Sequence, residues 1–277
     1  MDPTNSNNVV RIAILGASGR MGRTLLQLIA DNDALQLMGA ATEPGDASVG
    51  RDAGTLIGFE SFGVNVTDDP SAAVAEADVA IDFTLPAATP GNVAACVDKD
   101  VEMIMGTTGL SPADFKLLEK AGLEIAIVYG RNMSIGVNVV TELARLAGGA
   151  LNEGYDVEIT EAHHRNKVDA PSGTALQLGE AVAEGREVDF HDVACLDRTA
   201  AQGPRASGSI GFASVRAGSI VGDHLITIAG DEEIIEIGHR ALDRTAFARG
   251  ALRAARWVID QSPGLYSMND VLGLRGR

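Results

Sequence analysis

The chain has 277 residues, of which 45% are hydrophobic and 22% charged. This is ordinary globular composition, and it excludes a disordered or collagen-like chain. The 38 Asp and Glu against 22 Lys and Arg leave a formal charge of −16. A field of that sign repels phosphate backbones and anionic lipid, so neither nucleic acid nor a membrane surface is an expected partner. No apolar run reaches the length of a membrane span. Cys96 and Cys195 both sit among apolar residues with no metal-ligand spacing, and they read as buried, reduced thiols of a cytoplasmic protein. The polar start, MDPTNSNN, reads as a frayed tail rather than a signal peptide.

In the first half, apolar runs alternate with helical patterns. Strands are expected over Val9–Leu15, Leu35–Ala41, Val79–Phe83, Val101–Met105 and Leu123–Val128. Helices are expected over Arg20–Ala30, Ser71–Ala77, Pro90–Asp98 and Ser111–Ala121, the last capped by Ser111 ahead of Pro112. Such alternation predicts a doubly wound parallel α/β sheet. Past Met133–Ser134 the pattern changes. A helix over Val137–Leu151, a strand over Asp156–Ala162, a polar loop His163–Pro171 and a helix capped by Ser172 come first. Strands over Ile210–Arg216, His224–Ala229 and Ile234–Arg240 follow, the last two joined by a turn at Gly230–Glu233. This second part reads as an α+β domain with a mixed or antiparallel sheet. A final helix over Arg244–Ile259 is expected to return to the first domain.

Three groups of residues carry chemistry. Gly16-Ala17-Ser18-Gly19-Arg20-Met21-Gly22 follows a strand and opens a helix, where backbone N–H groups and the helix N-terminus suit a pyrophosphate. Glu43, about 20 residues further on at the end of the second strand, can accept from ribose hydroxyls. Pro44 follows it, and no adjacent cation awaits a 2′-phosphate, so NADH is expected to serve at least as well as NADPH. Gly106-Thr107-Thr108 and Gly130-Arg131-Asn132-Met133 follow strands, on the sheet edge where ligands bind.

The third group is Glu161–Thr174, which gathers His163, His164, Arg165 and Lys167 within an acidic chain. Screening confines charge effects to about 8 Å, so a local cation cluster can bind an anion despite the global field. Gly173 and Thr174 add N–H groups at a helix start, and a histidine can exchange a proton near neutral pH. Together they suit a small substrate bearing carboxylates. A metal site from Glu161, His163, His164 and Asp169 is disfavoured, because adjacent histidines on a strand point to opposite faces. Another two-domain nicotinamide dehydrogenase and a non-enzymatic NAD(H) sensor are the alternatives the residues leave open.

Glu161–Ala175, EAHHRNKVDAPSGTA, together with GASGRMG, AIDFT, MGTTG, NMSIGVNV, GFASVRAG and MNDVLGL in that order, resembles the 4-hydroxy-tetrahydrodipicolinate reductase family over nearly the whole chain. The resemblance implies a Rossmann-type dinucleotide-binding domain of residues 1–133 and 244–277. It also implies a substrate-binding and tetramerisation domain of residues 134–243, and a homotetramer built through the latter's sheet. It implies NADH or NADPH at Gly16–Met21, Glu43, Gly106–Thr108 and Gly130–Met133, with no metal. It makes His163 the proton donor and Lys167 its catalytic partner, with His164, Lys167, Gly173 and Thr174 on the substrate carboxylates. Pro44 stands where some members carry a basic residue, and Asn166 where some carry histidine.

Overall fold

The computed structural model describes residues 9–199 and 203–274, so the expected N-terminal tail lies outside the described residues. Contacts within the chain gather into two units. One runs to Ser134 and resumes at Thr245; the other is Ile135–Arg244.

The first unit begins with strand β1 (Val10–Leu15), helix α1 (Arg20–Ala30), β2 (Leu35–Ala41), β3 (Val66–Thr67) and α2 (Pro70–Val74). It continues with β4 (Val79–Asp82), α3 (Thr89–Lys99), β5 (Glu102–Met105), α4 (Pro112–Ala121) and β6 (Ala126–Tyr129). The side chains of β1 alternate between two cores. Ile12 and Ile14 join Leu25, Ile81 and Val128 on one face, and Ala13 and Leu15 join Ala80, Met103 and Ile127 on the other. Burial on both faces is what makes such a strand a continuous apolar run. Two expectations shift at element ends. Asp69 caps α2 ahead of Pro70, and that helix ends at Val74 rather than Ala77. Leu123 is not in a strand: it is 80% exposed, in the turn that leaves α4.

The second unit comprises α5 (Ile135–Ala150), β7 (Asp156–His163), α6 (Gly173–Gly185), α7 (Phe190–Val193), β8 (Ala194–Cys195), β9 (Ile210–Arg216), β10 (Gly222–Ala229) and β11 (Ile234–Ala241). Its sheet is mixed, in the order β11-β10-β7-β9-β8. β10 is antiparallel to β7 and β11, whereas β9 is parallel to β7 and β8. The expected β10–β11 hairpin is closed by Gly230 N–H donating to Glu233 O, 2.9 Å. α5 and α6 approach closely because their contact is made of glycine: a Cβ at Gly185 would overlap the Arg145 carbonyl oxygen. Cys195, expected to be buried, is half-buried on the short β8, while Cys96 is fully buried in α3.

The chain then returns to the first unit with α8 (Thr245–Val258), β12 (Gly264–Ser267) and α9 (Met268–Leu272). α8 buries Ala248, Ala251, Leu252, Ala255 and Val258 in the core that α1 also covers. β12, not foreseen from the sequence, adds to β6 in parallel. The finished sheet is seven-stranded and parallel, in the order β12-β6-β5-β4-β1-β2-β3. The strand order reverses between β1 and β4. The doubly wound parallel α/β fold is therefore as expected, and that crevice is where such sheets bind ligands.

Candidate active site

The glycine-rich turn leaves β1 at Gly16, whose φ of +88° favours a residue without a Cβ. The N–H groups of Gly16 and Ala17 both donate to Ala41 O, at 2.9 and 2.8 Å, which pins the turn to the end of β2. Ser18 Oγ and Thr42 Oγ1, 2.6 Å apart, add a second tie. Gly22 is buried against the turn, where a Cβ would overlap the Gly16 carbonyl oxygen and the Ala17 backbone. Asp69 and Ser111 cap α2 and α4, but Gly19 gives α1 no side-chain cap. The first N–H groups of α1 are thus left for an external anion, which fits a dinucleotide pyrophosphate. Arg20 is exposed on that turn and Met21 is half-buried. Glu43 lies two residues beyond β2, exposed, instead of ending the strand.

The other cofactor residues expected from the sequence lie at the C-terminal ends of β5 and β6. Gly106 packs on the Phe83 ring too closely for any Cβ. Thr107 is buried and donates to Asp82 Oδ1 at 3.3 Å and to Thr84 O at 3.1 Å, while Thr108 is exposed. Gly130 N–H donates to Met105 O, 3.1 Å, and Met133 is buried. Arg131 is exposed, and Asn132 Oδ1 accepts from Ser134 N–H at 2.9 Å. Asp82 organises this edge: it accepts from Thr84 N–H and Oγ–H, both 2.7 Å, and from Asn92 Nδ2, 2.8 Å. Burial raises its pKa, against the hydrogen bonds that hold it ionised.

In the second unit, one face of the sheet changes character along its length. Val157 and Ile159 on β7 are followed by Glu161 and His163; Ile210 and Phe212 on β9 by Ser214 and Arg216. On the antiparallel β10, Ile228 and Ile226 give way to His224, and on β11 Ile235 and Ile237 to His239. Register places Glu161 beside Ser214 and His224, His163 beside Arg216, and His224 beside His239. A polar layer thus continues the apolar core.

Glu161, 1% exposed, is its centre. Arg216 donates to it in bidentate fashion, Nη1 to Oε2 at 2.8 Å and Nη2 to Oε1 at 2.7 Å. Ser172 N–H donates to Oε1 at 3.3 Å, and His163 Nδ1 lies 2.6 Å from Oε2. Burial works to raise the pKa of Glu161, but hydrogen bonds from Arg216, Ser214 and His163 outweigh it and hold it down to about 2. Burial pushes His163 below the ordinary histidine value, and the charges of Lys167 and Arg216 push the same way; Glu161 opposes them. His224 is driven to about 4 by burial first and by the charges of His163 and His239 next. Its Nε2 lies 3.1 Å from Ser172 Oγ, which caps α6 by accepting from Ala175 N–H.

His163 is the last residue of β7 rather than the first of a loop, and only 9% exposed. Lys167 Nζ pairs with Asp169 Oδ1 at 2.8 Å, and Asp169 O accepts from Arg216 Nη2 at 2.6 Å. His164 is half-buried; Gly173 is the exposed first residue of α6, and Thr174 follows it, half-buried. The structure therefore adds Arg216, His224 and a new role for Glu161 to the residues expected here. The two-residue spacing of Glu161 and His163 on one strand was the available signal. Among the described residues, no group of three or more His, Cys, Asp or Glu could hold a metal ion, and no helix is long and apolar enough to cross a membrane.

A doubly wound sheet with a glycine-rich turn at β1, and a second unit with a buried imidazole beside a carboxylate, have the make-up of a nicotinamide-dependent oxidoreductase. Residues 10–133 match the family model for the dihydrodipicolinate reductase N-terminus, and residues 136–272 that for its C-terminus. The chain is 48% identical over 269 residues to 4-hydroxy-tetrahydrodipicolinate reductase of Chromohalobacter salexigens, covering 97% of this chain and 100% of that one. Identity to the same enzyme of Alkalilimnicola ehrlichii is 50% over 264 residues, covering 95% and 99%. The solved dipicolinate-bound dihydrodipicolinate reductase from Paenisporosarcina sp. TG-14 shares the fold, with a TM-score of 0.74 at 23% identity, covering 94% of this chain and 97% of that one. The chain belongs to the 4-hydroxy-tetrahydrodipicolinate reductase family.

Proposed function

We propose that this protein reduces 4-hydroxy-tetrahydrodipicolinate to tetrahydrodipicolinate with NADH or NADPH, a step of diaminopimelate and lysine biosynthesis. Near-full-length identity to enzymes of that name carries the reading. The substrate loses its 4-hydroxyl as water to give the unsaturated ring, and the nicotinamide, when bound, would supply the hydride that goes to carbon 4 of that ring. Gly16, Ala17, Ser18, Gly19, Arg20 and Met21 hold the pyrophosphate at the start of α1, and Glu43 accepts from the adenosine ribose. Gly106, Thr107, Thr108, Gly130, Arg131, Asn132 and Met133 shape the nicotinamide end. His164, Lys167, Gly173 and Thr174 grip the substrate carboxylates. The Lys167–Asp169 pair has a 58% exposed carboxylate, so it is weak enough for a substrate carboxylate to replace Asp169. His163, with Nδ1 engaged by Glu161, delivers the balancing proton from Nε2.

Glu43 followed by Pro44 supports use of NADH at least equal to that of NADPH; a kcat/KM ratio strongly favouring NADPH overturns this. The protein works as a homotetramer in the cytoplasm, and light scattering reads the assembly. The decisive assay is NADH oxidation with freshly generated precursor, wild type against His163→Ala. Positioned acid catalysis is worth about 10²–10⁴-fold, so kcat falls by about that factor while NADH affinity holds. An unchanged kcat removes His163 from the chemistry.

A further inference from the structure

The face that carries His163 holds more than a proton donor. Its ring is hydrogen-bonded at Nδ1. Nδ1 meets Glu161 Oε2 at 2.6 Å, while Nε2 lies beside Gly222, where a Cβ would come to 3.1 Å. Glu161 is a carboxylate already saturated with donors: two arms of Arg216 and the N–H of Ser172 besides the imidazole. Because Glu161 only accepts, Nδ1 must be the nitrogen that carries hydrogen in the neutral ring. Nε2 is then the site that gains and loses the second proton.

The charges on this ring come from every neighbouring element. Glu161 acts from its own strand, Arg216 from β9, His224 from β10 at a ring-centroid distance of 5.2 Å, and Lys167 from the following loop. An isolated buried carboxylate would hold His163 permanently protonated. Burial first, and the charges of Lys167 and Arg216 with it, work against that; Arg216 does so while leaving the hydrogen bond in place.

We propose that Glu161, neutralised by Arg216, is the positioning residue of the reaction: it fixes the ring and tautomer of His163 so that Nε2 faces the substrate, and Arg216 keeps the imidazole able to release its proton. This rests on the reading of His163 as proton donor. Neither residue touches substrate; both act through the imidazole, as the carboxylate does in a serine-protease triad.

Two substitutions move the system in opposite directions. In Glu161→Gln the shape is kept and the negative charge removed. The high-pH falling limb of the kcat profile then moves to lower pH by about one unit, as expected when an opposite charge is withdrawn. kcat at neutral pH falls about 10–100-fold, part of the factor that acid catalysis supplies, with KM for NADH unchanged. In Arg216→Met the carboxylate loses its counter-charge, and the same limb moves up by about one unit. ¹⁵N NMR of histidine-labelled protein, with the His163 signal assigned by its loss in His163→Gln, reads the tautomer directly. It is Nδ1–H in the wild type and shifts towards Nε2–H in Glu161→Leu, which offers Nδ1 no acceptor. Should Glu161→Gln fail to fold, the upward shift in Arg216→Met carries the test. The proposal is overturned if the Glu161→Leu tautomer is that of the wild type, or if the limbs of Glu161→Gln and Arg216→Met move the same way. Should His163→Ala keep full kcat, the donor reading fails instead, and the tautomer still reports on positioning.

Discussion

The buried imidazole of His224 makes acid stability a quantitative test of the polar layer. His224 is 5% exposed, and burial with its like-charged neighbours holds its pKa to about 4 against an ordinary 6.5. The unfolded chain takes up this proton near pH 6.5, whereas the folded chain refuses it until near pH 4. Between those values the unfolded state binds more protons, so stability falls as pH falls. A depression from 6.5 to about 4 is worth about 3 kcal/mol over the full window, and about 2 kcal/mol between pH 7 and pH 5. His163 and His239 are shifted the same way and add to the slope. Glu161 acts in a lower window, losing its contribution as pH drops from 4.5 towards 2. His224→Gln keeps a polar group for Ser172 Oγ and removes the titration. Urea unfolding at matched protein concentration, at pH 7 and pH 5, should show the variant losing about 2 kcal/mol less than the wild type. Equal losses in the two proteins would refute the assignment of a buried neutral imidazole at this position.

Three further outcomes test the packing. Gly22→Ala drives a methyl into the Gly16 carbonyl and the Ala17 backbone, neither of which can step aside. NADH affinity, read by fluorescence titration, should fall at least about tenfold, because the turn and the α1 N-terminus separate; unchanged affinity would place the pyrophosphate elsewhere. Ser111→Ala removes an oxygen that accepts from Asp114 N–H at 3.2 Å and breaks a reciprocal capping box, at a cost of about 1 kcal/mol in denaturant unfolding. Cys96 is fully buried, and burial raises its thiol pKa to about 12, so one thiol, Cys195, should react with a disulfide reagent in the native protein and two after unfolding.

The parallel sheet was legible because its strands are buried on both faces, and such strands announce themselves locally. VRIAIL is apolar at five of its six positions, and all five are buried. What failed lay at the ends. The run from Leu123 reads as one strand, but the chain must first leave α4. It does so by folding the N–H groups of Leu123, Glu124 and Ile125 back onto Lys120 O and Ala121 O, which leaves Leu123 in solvent. β12 carries the sequence GLYS, with Leu265 41% exposed, and becomes a strand only because β6 offers it an edge. That edge is set by tertiary structure, which no local pattern contains.

The site of the second unit was half legible for the same reason. His163 and Lys167 could be picked out by residue type within one short segment. Arg216 could not, because its meeting with Glu161 depends on a parallel pairing of β7 with β9 across the whole of α6. Each strand alone shows a plain two-residue alternation, apolar at one end and polar at the other. Only the register that sets Ile159 beside Phe212 and Ile226 also sets Glu161 beside Ser214 and His224. A slip of one residue on β9 would send Arg216 to the opposite face and leave a carboxylate buried without its cation. The apolar half of the face therefore does chemical work at a distance: by fixing the register that buries Ile159, Phe212 and Ile226, it fixes which charges surround the imidazole.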